Sequence, residues 1–252
     1  MTKTLPLKKA ITSWTLLVAC NTMWALQFTC IKLTQDQVGP YFTVWGPMFL
    51  ATLLMLPFTW KDLKNGKKFL KDIPVFIPLA LLGAFPAQVF MTWGTQYSLA
   101  SNAAILTLAL PVITASLAFL VLREKMNKIR WASFIIAIIR VLLCSTGDIK
   151  QMDFGSNYAL GNLLIFLAIV GNAYYNVGIK KNANRYTEIE LLFYTYVVMV
   201  VLLTPLVVYF ESDVFIRIPS FTARTWTGMS LLTFFHNFLS MILFFKTFKS
   251  LD

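Results

Sequence analysis

Long apolar stretches separated by short polar segments dominate the sequence. Each of eight stretches holds about 20 mostly apolar residues, enough to cross roughly 30 Å of hydrocarbon as an α-helix. Segments of about 10 residues that alternate apolar and polar side chains, as in a membrane barrel, are not seen. The pattern therefore predicts an all-α, polytopic membrane protein with about eight transmembrane helices. Their approximate bounds are 12–33, 41–60, 73–93, 102–122, 130–147, 158–179, 190–210 and 226–246.

Composition supports this fold class. Of the 252 residues, 58% are hydrophobic and only 13% are charged, whereas charged residues make up about 25% of a soluble domain. A water-soluble body of this size has too little interior to bury so much apolar surface. The predicted helices leave only short connections, so no soluble domain fits between them.

The basic residues predict the orientation of the chain. It carries 22 Lys and Arg against 11 Asp and Glu, and eight spans place 17 of the 22 on the side of both termini. Cytoplasmic loops are the ones enriched in Lys and Arg, so we predict a cell-membrane protein (plasma or inner membrane) with both termini cytoplasmic. These loops are expected to contact the anionic lipids of the inner leaflet. They contain no nucleic-acid-binding module, and we expect no nucleic-acid partner.

The sequence contains traces of an internal duplication. Lys32 and Pro57 recur 148 residues later as Lys180 and Pro205. Five predicted spans separate the two copies, and an odd number inverts the second copy in the membrane. Inverted repeats are typical of secondary transporters, whose solute site lies between the repeats near the midplane. We assign residues 1–150 to a first five-helix repeat and residues 155–252 to a second, incomplete repeat of three helices.

One block of the first repeat resembles a known family. The block covers 97–106 (YSLASNAAIL), continues to Pro111 and ends at Glu124. Together with Trp24-Ala25 in the first span and 161–164 (GNLL) in the sixth, it resembles the EamA family of the drug/metabolite transporter superfamily. The resemblance implies a transporter of small metabolites, built from two five-helix repeats around a central cavity. Family habit further implies export of amino acids or similar metabolites.

The length of the chain departs from that family's pattern. The family normally has ten spans, and this sequence stops at Asp252, where a ninth would begin. Two expectations follow. Either a second copy of the chain or a partner subunit supplies the missing helices, or the product is a truncated membrane protein that does not transport by itself.

Polar residues inside the predicted spans are candidates for a solute cavity, because unpaired polar groups are costly in hydrocarbon. For each of them, the structural alternative is a hydrogen bond to a neighbouring helix. An uncharged lining that includes aromatic groups suits a small polar or zwitterionic solute better than a metal ion, and we expect neither a metal nor a cofactor. The candidates are Asn21, Trp24, Gln27, Gln88, Thr107, Thr114, Asn172, Tyr175, Asn176, His236 and Asn237.

Groups for acid–base chemistry are scarce in the spans. No Asp or Glu falls near the middle of a predicted span, and the single histidine is His236. It is the one mid-span group that titrates near neutrality, which leaves it as either a neutral cavity residue or a proton carrier. A membrane-embedded enzyme needs a metal cluster or an acid–base pair, and the sequence shows neither. We therefore predict a transporter that works by alternating access and not an enzyme.

Overall fold

The computed structural model describes residues 7–63, 66–122, 131–132, 135–136 and 158–244. Within these ranges the chain is almost entirely helical and contains no strand. Among the described residues, seven helices are long and apolar enough to cross a membrane. The predicted class, a polytopic helical membrane protein, is confirmed. The predicted fifth span, 130–147, lies outside the described residues apart from four helical positions, 131–132 and 135–136.

We number the seven spanning helices α1 to α7 in chain order. Four of them are continuous α-helices. Each observed span agrees with its predicted stretch to within four residues at both ends. The continuous helices are α1 (Leu7–Thr34), α2 (Pro40–Leu63), α5 (Ala159–Asn182) and α6 (Glu188–Phe210).

The other three spans combine several helical segments. Helix α4 is divided into Ala100–Thr107 and Leu110–Leu122. The division arises because Pro111 lacks the N–H that would bond to the carbonyl of Thr107, and its ring crowds that carbonyl. Helices α3 and α7 contain π-helical segments, in which the backbone hydrogen bonds run from i to i+5. Helix α3 consists of Gly66–Pro78, the π segments Leu79–Ala84 and Pro86–Phe90, and Met91–Tyr97, and α7 of Ala223–Leu231 and the π segment Leu232–Leu239, continuing to Phe244.

Local signals set the start of α6 and of α7. The Thr187 backbone N–H donates to Glu190 Oε2 (2.8 Å), and the Glu190 N–H donates to Thr187 Oγ1 (3.3 Å). This reciprocal capping box satisfies N–H groups that have no partner within the helix. The hydroxyl of Thr222 accepts in the same way from the N–H of Thr225 (3.4 Å) at the start of α7.

Four pairs of the described helices pack most extensively. Helix α1 packs against α7, α5 packs against α3 and α4, and α2 packs against α6. Glycines allow the closest approaches. A Cβ on Gly94 of α3 would lie 2.7 Å from the carbonyl oxygen of Gly161 on α5, and one on Gly228 of α7 would lie 3.0 Å from that of Cys30 on α1.

Candidate functional site

A polar cluster joins α1, α6 and α7 inside the bundle. We call Trp24, Tyr196, His236, Asn237 and Ser240 the central cluster. Trp24 Nε1 donates to Ser240 Oγ (2.9 Å), and Ser240 Oγ donates to the carbonyl oxygen of His236 (2.6 Å). The Tyr196 hydroxyl donates to the carbonyl oxygen of Asn237 (3.0 Å). Side chains from α1 and α6 are thus bonded to the same short stretch of α7.

That stretch comprises the second half of the π-helical segment Leu232–Leu239 and Ser240, which follows it directly. Asn237 Nδ2 donates to the carbonyl oxygen of Leu232, five residues earlier (3.0 Å). π-helical segments inside α-helices are rare overall, and those that do occur are often found at functional sites. The π geometry therefore marks the polar residues of this segment as candidates for the functional site.

His236 is the least satisfied member of the central cluster. Its side chain lies in the interior, with only 5% of the residue exposed. Neither ring nitrogen has a hydrogen-bond partner among the residues that the structure describes. Buried polar groups are nearly always paired, so the ring retains one donor and one acceptor position for a further group.

The predicted cavity residues of α5 lie on the neighbouring part of the bundle. Tyr175 is buried, and Asn172 and Asn176 are half-buried. The tyrosine packs directly on α3, because a Cβ on Gly83 would lie 2.9 Å from the Tyr175 Cβ. Their contact with a solute stays a prediction.

Other predicted residues use their donors within their own helices. Asn21 is exposed, and its Nδ2 donates to the carbonyl oxygen of Leu17 (2.8 Å). Thr107 Oγ1 donates to the carbonyl oxygen of Ala103 (2.6 Å). Neither side chain reaches the central cluster through these bonds.

No hydrogen bond within the described ranges assigns a structural role to Gln27, Gln88 or Thr114, and the same is true of Asn172 and Asn176. Gln27 and Gln88 are half-buried. The Thr114 hydroxyl is buried and has no partner within the described part of the chain. All five stay open as solute contacts.

Sequence reasoning missed Tyr196. Helix α6 offers no polar stripe, and an aromatic residue in an apolar span is ordinary packing by pattern alone. A buried tyrosine nevertheless usually finds a partner for its hydroxyl, and Tyr196 finds it in Asn237. Ser240, which accepts from Trp24, was also outside the predicted set.

The block that resembles the EamA family forms a second buried cluster. Ser98 Oγ donates to Asn162 Oδ1 (2.7 Å), and Asn102 Nδ2 donates to Ser98 Oγ (3.2 Å). Asn102 is completely buried. These bonds tie the end of α3, the start of α4 and the start of α5 together, so this part of the block positions helices.

A carboxylate closes the end of the bundle where α6 meets α2. Glu211 accepts from the backbone N–H groups of Tyr41 (3.0 Å) and Phe42 (2.8 Å) at the start of α2. These N–H groups have no partner within the helix, and the helix dipole favours negative charge there. Burial raises the pKa of the Glu211 carboxyl, and the two hydrogen bonds oppose part of that rise.

Gln37 joins the α1–α2 loop to α7 at the same end. Its Oε1 accepts from the Thr222 N–H (2.8 Å) and from Thr225 Oγ1 (2.6 Å), and its Nε2 donates to the carbonyl oxygen of Ser220 (3.3 Å). Arg217 Nη1 donates to the Gln37 carbonyl oxygen (2.8 Å). We call these five residues the Gln37 network.

An ion pair joins elements at the opposite end. Arg185 Nη2, from the loop between α5 and α6, lies 3.1 Å from Asp72 Oδ1 on α3. The arginine side chain is more than half exposed while the aspartate side chain is buried. Within the described ranges, no group of three or more His, Cys, Asp or Glu side chains is arranged to hold a metal ion.

In the part of the chain that the structure describes, seven apolar spans and a polar cluster between them define a polytopic helical membrane protein. The sequence profile of the EamA-like transporter family matches residues 12–146, more than half of the chain. The chain belongs to the EamA-like transporter family, as the residues of the 97–124 block predicted.

Curated relatives agree with this assignment. The chain is 29% identical over 174 residues to the uncharacterized transporter YcxC of Bacillus subtilis (strain 168), covering 66% of this chain and 53% of the relative. It is 25% identical over 175 residues to the uncharacterized transporter YetK of the same organism, covering 69% and 53%. The chain therefore spans about half the length of these two relatives.

One relative has a name that states its cargo. The chain is 26% identical over 200 residues to a probable terminal-alkyne amino-acid exporter of Streptantibioticus cattleyicolor, covering 79% of this chain and 64% of the relative. That name describes the Streptantibioticus protein.

Proposed function

We propose that this protein exports small polar metabolites, with amino acids as the first candidates, by alternating access. The observation that carries the proposal is membership of the EamA-like transporter family across residues 12–146. The name of the Streptantibioticus relative supports amino acids as the solute class. An uncharged buried cluster with indole, phenol, imidazole and amide groups suits a zwitterion or a neutral polar molecule.

Two inverted repeats, 1–150 and 155–252, are part of the proposal. Gln37 meets Ser220 at one end of the bundle, and Arg185 meets Asp72 at the other. Residues 37 and 185 are 148 positions apart, and so are residues 72 and 220. Gln37 and Arg185 therefore occupy one equivalent position in the two repeats, and Asp72 and Ser220 occupy another. The contact between these two positions occurs once at each end of the bundle, as expected for an inverted duplication. The helix pairing supports this, because the first helix of each repeat packs against the third helix of the other.

The proposed cycle moves one repeat relative to the other around the central cluster. A solute arriving from the cytoplasm exchanges water for hydrogen bonds to the amides, hydroxyls and imidazole that line its path. The Gln37 network closes one end of the bundle, and the Arg185–Asp72 pair closes the other. Opening one end while the other stays closed exposes the solute to one side of the membrane at a time.

The proposed surroundings follow from the same topology. Both termini and the basic loops lie in the cytoplasm, where the loops contact anionic lipids. A second copy or a partner subunit covers the open side of α1, where Asn21 and Thr22 are exposed. The covering partner completes the cavity wall.

Efflux from reconstituted vesicles tests the function. The purified full chain is placed in liposomes loaded with one radiolabelled amino acid at a time, and loss of label is compared with that from protein-free liposomes. We expect at least one amino acid to leave faster through the protein, and Trp24→Ala to slow it by about tenfold because Ser240 loses its donor. Equal loss from both kinds of liposome for every amino acid contradicts the proposal, as does chemical conversion of the label in detergent.

A further inference from the structure

The third helix of each proposed repeat contains a π-helical segment in the same place. Helix α3 has two π segments, Leu79–Ala84 and Pro86–Phe90, and the second of them matches the segment Leu232–Leu239 of α7. The offset of 148 residues carries 86–90 onto 234–238, which lies inside the α7 segment. Because well under 1% of residues are π-helical, coincidence at matching positions points to a feature that both repeats share.

Each segment has a polar residue at the matching position. Gln88 and His236 are 148 residues apart. The other polar side chains of the π segments are already bonded. Thr233 Oγ1 donates to the carbonyl oxygen of Met229 (2.8 Å), and Asn237 bonds to Leu232 and Tyr196.

Gln88 and His236 differ from those neighbours in having unused hydrogen-bonding groups. Both nitrogens of the buried His236 ring have no partner among the residues that the structure covers. Gln88 is half-buried in the interior of the span Lys71–Tyr97, and its side chain makes no hydrogen bond within the described ranges. Placing an unpaired amide and an unpaired imidazole within a membrane span costs free energy, and polar residues retained there usually have a function.

We propose that Gln88 and His236 are the two principal polar contacts of the solute, one from each repeat. The inference rests on the proposed function. It selects, from the predicted cavity residues, two that occupy equivalent positions in the proposed repeats. Each side chain supplies one kind of donor and one kind of acceptor. A solute with both, such as the ammonium and carboxylate groups of an amino acid, matches the pair.

Charge supports a solute that is neutral overall. In the seven described spans, Lys, Arg, Asp and Glu occur only within three residues of an end. No fixed charge therefore stands near the middle of α3 or α7 to balance an ion. The pair selects neutral or zwitterionic molecules over anions and cations.

Accessibility of introduced thiols tests the pair without knowledge of the solute. Gln88→Cys and His236→Cys are made in a background in which Cys20, Cys30 and Cys144 are replaced by Ala, and the proteoliposomes are treated with a membrane-impermeant, positively charged methanethiosulfonate. Leu82→Cys and Phe234→Cys are the matched controls, because these side chains lie on or beside the same π segments and face outward. We expect positions 88 and 236 to react at least tenfold faster than 82 and 234, since only a water-lined path exposes them. Absence of reaction at both 88 and 236 overturns the proposal.

Transport by side-chain variants separates the inference from the function. We expect Gln88→Ala and His236→Ala each to slow amino-acid efflux by about tenfold, the double variant to be little worse than either, and His236→Gln to restore most of the rate. All variants are first checked for monodisperse elution in detergent. Efflux by wild type that both alanine variants leave unchanged overturns the inference and preserves the function. No efflux by wild type, with reactive thiols at 88 and 236, overturns the proposed function alone.

Discussion

At the scale of single residues, hydrogen bonds made by hydroxyl and carboxylate side chains hold neighbouring helices together. Tyr196 on α6 reaches Asn237 on α7, and Glu211 after α6 reaches the start of α2. Both groups are partly or fully removed from water, where a hydrogen bond lost is not replaced by one to solvent. Their removal is therefore measurable as a loss of stability.

Tyr196→Phe deletes one hydroxyl and keeps the ring. We expect the free energy of unfolding to fall by about 0.6–2 kcal/mol, the range for hydrogen bonds between membrane helices. Unfolding of the detergent-solubilised protein measures it. Tyr209→Phe is the control, because Tyr209 is 80% exposed and its hydroxyl has solvent or headgroups as partners. Equal effects of the two substitutions contradict the role given to Tyr196.

Glu211 makes stability depend on pH. Its carboxyl pKa is raised in the folded state above the usual 4.5, first by burial. Because the folded state binds the proton more tightly than the unfolded chain, this contribution is present below pH 4.5 and is lost as pH rises through the raised pKa. We expect melting temperatures between pH 4 and pH 8 to show this decline in wild type.

Glu211→Gln removes the titration and one of the two acceptors. The variant should show a flatter pH dependence than wild type over that range. Asp36→Asn is the control, because the Asp36 side chain is exposed. If the melting temperature of Glu211→Gln depends on pH as that of wild type does, the Glu211 carboxyl is not the source of the pH dependence.

At the scale of helices, close contacts between backbones matter most. Gly94 of α3 and Gly161 of α5 touch so closely that a Cβ on either would come within 3.0 Å of the other backbone. Small residues that permit such approaches are the main packing device of membrane helices. The third helix of one proposed repeat is thereby fixed to the first helix of the other.

Gly161→Leu is expected to destabilise the fold. The added side chain overlaps Ser98 and the backbone of α3, and such overpacking costs about 1–3 kcal/mol. Thermal unfolding in detergent measures the change. Ala104→Leu on the exposed side of α4 is the matched control and is expected to change little. A melting temperature for Gly161→Leu equal to that of the control is the contradicting result.

The sequence predicts the helices well, because the thickness of the bilayer fixes how long an apolar run must be. Seven spans appear within four residues of their predicted ends. The π segments of α3 and α7 were not predictable, since i to i+5 bonding leaves no mark in the apolar pattern. The capping box of Thr187 and Glu190 has a sequence signature, so the start of α6 can be recognised from the sequence. Tyr196 required knowledge of which helices touch.

At the scale of the whole molecule, each end of the bundle is joined by its own set of side chains. The Gln37 network is made of uncharged hydrogen bonds and one arginine, while Arg185 and Asp72 form an ion pair. The proposed topology places these closures on opposite faces of the membrane.

Cysteines introduced at Gln35 and Asn184, both exposed loop positions, should react with an impermeant thiol reagent from opposite sides of oriented vesicles. Reaction from the same side excludes the topology.

Counterflow is the measurement that tests the central claim most directly. Vesicles filled with an excess of an unlabelled amino acid are diluted into a trace of the labelled form, and the label inside is followed with time. A carrier whose site alternates between the two faces predicts a transient accumulation of label above its equilibrium level. Asn237→Ala should abolish that overshoot and Phe234→Ala should keep it, since only Asn237 belongs to the central cluster. Label that rises monotonically to equilibrium in wild-type vesicles, or never enters them faster than protein-free ones, contradicts alternating access through this protein.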